Sequence, residues 1–146
     1  MKKISVEQAI NSGAWYQYKE NEVHLRIRFL NLRPVLLSEF KNIDKVDANL
    51  PIKEGKLLLL STELVNLSKT ESGSIYLTLT DNDDYIFNRV DDYYITRDSD
   101  FAERNKLTSF RLIPKFKYLK SFIFLVPNED TKYYLSTQYD ATLTEI

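Results

Sequence analysis

The hydrophobic positions of this chain fall in short runs separated by polar clusters, and the longest run is Leu57, Leu58, Leu59 and Leu60, inside residues 56–67. Four leucines in succession leave no polar face at the start, as expected of a strand covered on both sides. From Ser61 onward polar and apolar residues mix, so one face then meets water. Glu54-Gly55 before the run and residues 68–73 after it hold the segment to strand length. Residues 56–67 therefore read as the central strand of a sheet.

The other segments follow the same logic. Val23, Leu25, Ile27 and Phe29 alternate with His24, Arg26 and Arg28, the period-2 signature of a half-buried strand with a basic outer face. At Phe29-Leu30 two apolar residues meet and the alternation resumes out of phase toward Arg33-Pro34, which predicts a bulge or the strand's end. Ile75, Leu77 and Leu79 alternate up to a turn at Asp81-Asn82-Asp83-Asp84 that leads into Tyr85-Ile86-Phe87, a hairpin. Phe122 to Val126 form a second strongly apolar strand ended by Pro127. Tyr133 to Thr137 make a further short one, and Ala141, Leu143 and Glu145 share one face of a last strand. Ser5 with Gln8 three residues on has capping-box spacing, and Gly13 is a plausible stop, so residues 6–11 predict a turn or two of helix. Residues 35–55 read as a crossing between sheets, and residues 88–109 as a long acidic surface loop with a short strand or helical turn inside.

About seven or eight short strands with few helix signals predict an all-β chain, an immunoglobulin-like Greek-key β-sandwich with a short N-terminal helix. Composition agrees. At 146 residues the chain fits one domain, residues 1–20 either belonging to it or extending from it, and 43% hydrophobic residues supply a core without a staple. Eight Phe and ten Tyr against one Met favour pleated, aromatic-rich packing. The net charge of −1 gives no overall field toward nucleic acid or an anionic membrane, so a charged partner must be met by a local patch. The absence of cysteine excludes disulfides, thiolate zinc sites and thiol nucleophiles. The N-terminus has two lysines but no apolar signal region, which predicts a cytoplasmic place for the chain as written, or an extracytoplasmic one if it is a domain of a longer exported protein. No run approaches the length of a membrane span.

The second half carries a resemblance. Glu54-Gly55-Lys56 leads into a strand ending Val65-Asn66-Leu67-Ser68-Lys69. Tyr76-Leu77-Thr78-Leu79-Thr80-Asp81 follows, with Tyr85 beyond a turn, and then Leu112-Ile113-Pro114 and Phe122-Ile123-Phe124-Leu125-Val126-Pro127. Over residues ~54–137 this pattern resembles the telokin-like, immunoglobulin-like domain of unknown function found in bacterial lipoproteins and secreted proteins. Asp81-Asn82-Asp83-Asp84 stands where that family has Asp-x-x-Gly, and Pro114-Lys115 where it has Pro-Gly. The lipid-carrying cysteine has no counterpart. The resemblance implies a fold and a non-enzymatic habit, and it transfers no catalytic residues.

Candidate chemistry is sparse. The one histidine, His24, sits in an alternating strand, no Gly-x-Ser-x-Gly elbow exists, and Gly13, Gly55 and Gly73 are isolated, so neither a nucleophile nor a phosphate cradle is formed. No catalytic residue, metal or cofactor is expected. Asp81, Asp83 and Asp84 fail the calcium-loop spacing and fit an Asx turn better. Asp91, Asp92, Asp98, Asp100 and Glu103 form an acidic segment, read first as solvated. His24, Arg26 and Arg28, extended by Arg33, form a row that could bind phosphates beside Trp15, Tyr16 and Tyr18, against the plainer reading of an outer face paired with carboxylates. Lys115, Lys117 and Lys120 read as a guarded edge. The first functional expectation is a protein–protein interaction module of bacterial or phage origin anchored by Tyr93-Tyr94 and Tyr133-Tyr134, with one tyrosine of each pair in the core as the plainer reading. The alternatives are a nucleic-acid binder using the basic face, and a small inhibitor or immunity protein of a mobile element or toxin pair.

Overall fold

The computed structural model describes residues 3–48, 50–72, 75–90, 94–107 and 111–146. Among these, nine strands divide between two antiparallel sheets. The larger holds, side by side, β7 (Lys117–Pro127), β4 (Gly55–Asn66), β3 (Val23–Val35), β2 (Trp15–Glu20) and β9 (Thr142–Glu145). The smaller holds β1 (Ile4–Ser5), β8 (Tyr134–Thr137), β5 (Leu77–Thr80) and β6 (Ile86–Asn88).

The alternating pattern of β3 sorts its side chains between the two faces of the larger sheet. Leu25, Ile27 and Phe29 are at most 1% exposed, while His24, Arg26 and Arg28 stand half-buried on the other side. The bulge lies where the pattern slips: Phe29 pairs with Thr62 and Asn31 with Ser61, leaving Leu30 without a partner. The extra residue bends the strand and restores Leu32 to the inner face. β4 runs between β3 and β7, with Leu58 opposite Phe124 and Leu60 opposite Phe122. These four join Tyr16, Tyr18, Leu64, Leu77, Leu79 and Leu135 in the core between the sheets.

Residues 4–20 are part of this sandwich. The helix α1 (Val6–Ser12) places Val6 and Ala9 in the same core. Its first turn is capped by the Ser5 hydroxyl, which accepts from the Gln8 N–H at 3.3 Å, and Gly13 at φ 64° ends it in the left-handed conformation glycine adopts without strain. The β2 strand follows at once. The buried Tyr18 hydroxyl donates to Glu20 at 2.9 Å and accepts from the Tyr76 N–H at 3.0 Å, fastening β2 to the approach of β5 in the other sheet.

Leu57 and Leu59 point the other way, to a second core on the outer face of the larger sheet. There Val35 and Ile123 pack with them against Phe40, Val46, Ile52, Ile95, Phe101 and Leu107. These come from α2 (Ile43–Asp47), α3 (Ser99–Arg104), two short 3-10 turns and their links. The unbroken leucine run is thus covered on both sides, as its pattern required.

Two expectations are corrected here. Residues 35–55 do not cross between sheets: they leave β3, fold helically over the outer face and return as β4, its neighbour in the same sheet. The described part of residues 88–109 is a packed helical layer rather than a surface loop, with Ile95 and Phe101 fully buried and the Phe40 and Phe101 rings stacked at 4.2 Å. Asp98 ties that layer together. Its carboxylate accepts from the backbone N–H groups of Lys41, Asn42 and Phe101, at 2.6, 2.9 and 3.1 Å. Burial pushes its pKa up, but these three donors outweigh burial and hold it below the ordinary value.

Candidate functional site

The helical layer covers only the part of the outer face over Val35, Leu57, Leu59 and Ile123. Beyond it, the β2, β3, β4 and β7 strands present Trp15, Arg26, Arg28, Glu63 and Lys117 in register. Trp15 pairs across with Arg28 and Gln17 with Arg26, then Arg28 pairs with Glu63 and Arg26 with Val65. On the far side Leu119 stands opposite Glu63, and Lys117 opposite Val65.

The guanidinium carbons of Arg26 and Arg28 lie 5.3 and 5.0 Å from the centroid of the half-buried Trp15 ring, cation–π distances that fix both long side chains against one indole. Glu63 divides its carboxylate. One oxygen receives Arg28 Nη2 at 2.5 Å and the other faces Lys117 Nζ at 3.4 Å. The Arg28 guanidinium, and less strongly Lys117, hold the Glu63 carboxyl below its ordinary value against the upward push of burial. Arg26 has no carboxylate among the described residues, and the Nε atoms of Arg26 and Arg28 are buried without a hydrogen-bond partner. Across these rows Lys19, Arg26, Arg28 and Lys117 face one carboxylate, so the patch is basic on a chain that is close to neutral. Leu119, 53% exposed, lies beside it.

Of the row foreseen in the sequence, His24, Arg26 and Arg28 do share this open face. Arg33 does not extend it. Past the bulge it lies against the edge of the helical layer, where its two Nη atoms grip both Glu39 oxygens at 3.0 and 3.1 Å and reach Asn105 at 3.1 Å. Tyr16 and Tyr18 are core residues, so Trp15 alone of the three aromatics is available to a partner. The carboxylate pairing expected of a plain solvated face is present for Arg28 through Glu63, a residue the alternation of β4 after Ser61 could have indicated. Lys120, placed in an exposed edge by the sequence, is 9% exposed and donates its ammonium to the Leu107 carbonyl at 2.9 Å.

The tyrosine anchors divide. Tyr133 is 8% exposed in the inter-sheet core and is unavailable as a surface anchor. Tyr134 is half-buried, donates to Asn82 at 3.1 Å and carries the Lys3 ammonium 5.1 Å from its ring centroid. Tyr94 is half-buried beside the 3-10 turn at residues 95–97, and Tyr93 lies outside the described residues, as do Asp91 and Asp92. Asp81 makes the Asx turn: its Oδ1 accepts from the N–H groups of Asp83 and Tyr85 at 2.9 and 3.0 Å. No described helix is long and apolar enough to cross a membrane.

No protein-family model matches the chain, and no curated protein does. A solved structure does: a Bacillus subtilis (subsp. subtilis str. 168) protein described as a "putative lipoprotein (ycdA)" superposes with a TM-score of 0.53 at 15% identity. The match covers 88% of this chain but only 38% of that one, so this chain spans well under half of its neighbour's length. What the likeness establishes is the fold: a β-rich domain with two antiparallel sheets, shared with a bacterial protein.

Proposed function

We propose that this chain is a non-enzymatic β-sandwich interaction module that docks an acidic protein surface on the open part of its larger sheet. The observation that carries the reading is Trp15 held by Arg26 and Arg28 where none of the described helices covers the sheet. Tryptophan and arginine dominate interface hot spots, and here both cations are already immobilised, so little side-chain entropy remains to be lost on docking. Charge complementarity names the partner's chemistry: among the described residues Arg26 has no carboxylate, and an acidic partner would supply one. The non-enzymatic reading is supported by His24, whose neighbour Ser68 bonds its backbone rather than its ring. Successive strands that change sheet, as from β7 to β8 to β9, support an immunoglobulin-like, Greek-key arrangement. The likeness to a Bacillus protein described as a lipoprotein supports an extracytoplasmic place.

The test is affinity capture from a bacterial host with the wild-type chain and with Trp15→Ala and Arg26→Glu, each verified folded by circular dichroism. The reading expects a protein captured by the wild type and lost at least tenfold by both variants. Equal capture by all three would sink it, and so would a labelled nucleic-acid strand that binds the wild type at low salt and is released as salt rises.

A further inference from the structure

At one end of the sandwich, independent of the sheet face, α1, the bulged part of β3 and the approach to β8 enclose a groove of about 650 Å³. Its apolar lining is Val6 and Ile10 of α1 and Leu32 of β3, and the bulge after Phe29 is what brings Asn31 and Leu32 to this position. Around that lining stand three side-chain amides from three separate elements: Asn11 of α1, Asn31 of β3 and Asn82 of the turn between β5 and β6. Glu7 and Asp130 add carboxylates and Lys132 an ammonium. Among the described residues Glu7, Asn11, Asn31, Asp130 and Lys132 have no side-chain hydrogen bond or ion pair, and Asn82 uses only its carbonyl oxygen, for Tyr134. Tyr133, which also lines the groove and is 92% buried by its 8% exposure, has a hydroxyl oxygen out of solvent and without a partner.

We propose that this groove binds a short peptide with free termini. A side-chain amide carries a carbonyl acceptor and, on the same side, an N–H donor, so it pairs with the N–H and C=O of one residue of an extended backbone through two hydrogen bonds. Three such amides beside an apolar lining match a backbone flanked by side chains. The two carboxylates suit a terminal ammonium, and Lys132 suits a terminal carboxylate. The volume lies in the range of small-ligand sites, roughly 300–1,000 Å³. A sugar is the poorer fit because Tyr133, the one aromatic ring among the described lining residues, is buried and offers no stacking platform.

The experiment is saturation-transfer NMR on the intact chain with a pool of free-termini tripeptides varied at the central residue, followed by titration of the strongest binder. Saturable binding is expected, weakened at least tenfold by Asn31→Ala, by Lys132→Ala, and by acetylating and amidating the peptide's ends. Lys132 is exposed, so its variant keeps the fold even if Asn31→Ala does not. The proposal is overturned if no tripeptide of the pool saturates the folded chain at millimolar concentration. It is equally overturned if Lys132→Ala binds as the wild type does, or if maltotriose saturates the groove and the peptides do not.

Discussion

Leu60 and Asp98 are both sealed from solvent, and they hold different parts of the molecule by different physics. Leu60 is 0% exposed between the sheets, so Leu60→Ala loses its transfer free energy and leaves a cavity, a destabilisation of about 2–5 kcal/mol in denaturant melts. Arg26→Ala, on the open face, removes a cation–π contact and should cost about 0.5–1 kcal/mol in the same melts. Asp98→Ala strands three backbone donors beneath the helical layer, and about 3 kcal/mol or more is expected. Leu60 and Arg26 were legible in the sequence because a strand's pattern assigns faces directly. Asp98 was not: an acidic residue in an acidic stretch looks solvated, and only the chain passing at Lys41 and Asn42, more than 50 positions earlier, makes it a buried cap. Arg33 was misplaced for a related reason, since the bulge shows in the sequence but the helical layer it leads to does not.

At the scale of elements, strands with a run or a clean alternation could be read in place: β3 with its bulge, β4, the hairpin of β5 and β6, and the apolar part of β7. The helical layer could not. α2 and α3 have five and six residues, too short to display a 3.6-residue period, and their apolar positions resemble those of a loop. That layer nonetheless covers Leu57, Leu59 and Ile123. Phe101→Ala should therefore cost about 3–5 kcal/mol and increase binding of a hydrophobic dye, as the outer face of the sheet opens while the inter-sheet core stays closed. If the melt is unchanged, α3 does not seal the sheet. The candidate site was half visible on the same grounds. The basic row follows from alternation, whereas the meeting of Trp15 with Arg26 and Arg28 depends on the register of β2 against β3, set by the turn at Asn21, whose φ is 51°.

For the molecule as a whole, acid acts on four depressed carboxyls among the described residues, of which Asp100, held down by Arg104, is open to solvent and adds little. Glu63 is held down by Arg28, Glu39 by Arg33, and Asp98 by backbone donors that outweigh its burial. The stability they contribute is complete above the ordinary values, 4.5 for Glu and 3.8 for Asp, and is lost as pH falls through their lower folded values. Melts between pH 7 and pH 2 should show the loss beginning below about pH 4.5, less steeply in Glu63→Gln. Tyr18 acts at the other end. Burial raises its hydroxyl above the ordinary value of 10, so stability is full below pH 10 and declines as pH rises beyond it. A flat profile at both ends would refute these assignments.

The double cover of β4 has a further consequence, for motion. Leu57 to Leu60 are paired on both edges and roofed on both faces, so no local fluctuation can bring their amides to solvent without separating two cores at once. Their exchange with deuterium should then report only the complete opening of the molecule. The amides of β9, with one hydrogen-bonded neighbour and side chains exposed except for the half-buried Leu143, should exchange orders of magnitude sooner. A gradient of protection falling from the leucine run outward to the last strand would identify β4 as the slow-exchanging centre of the fold.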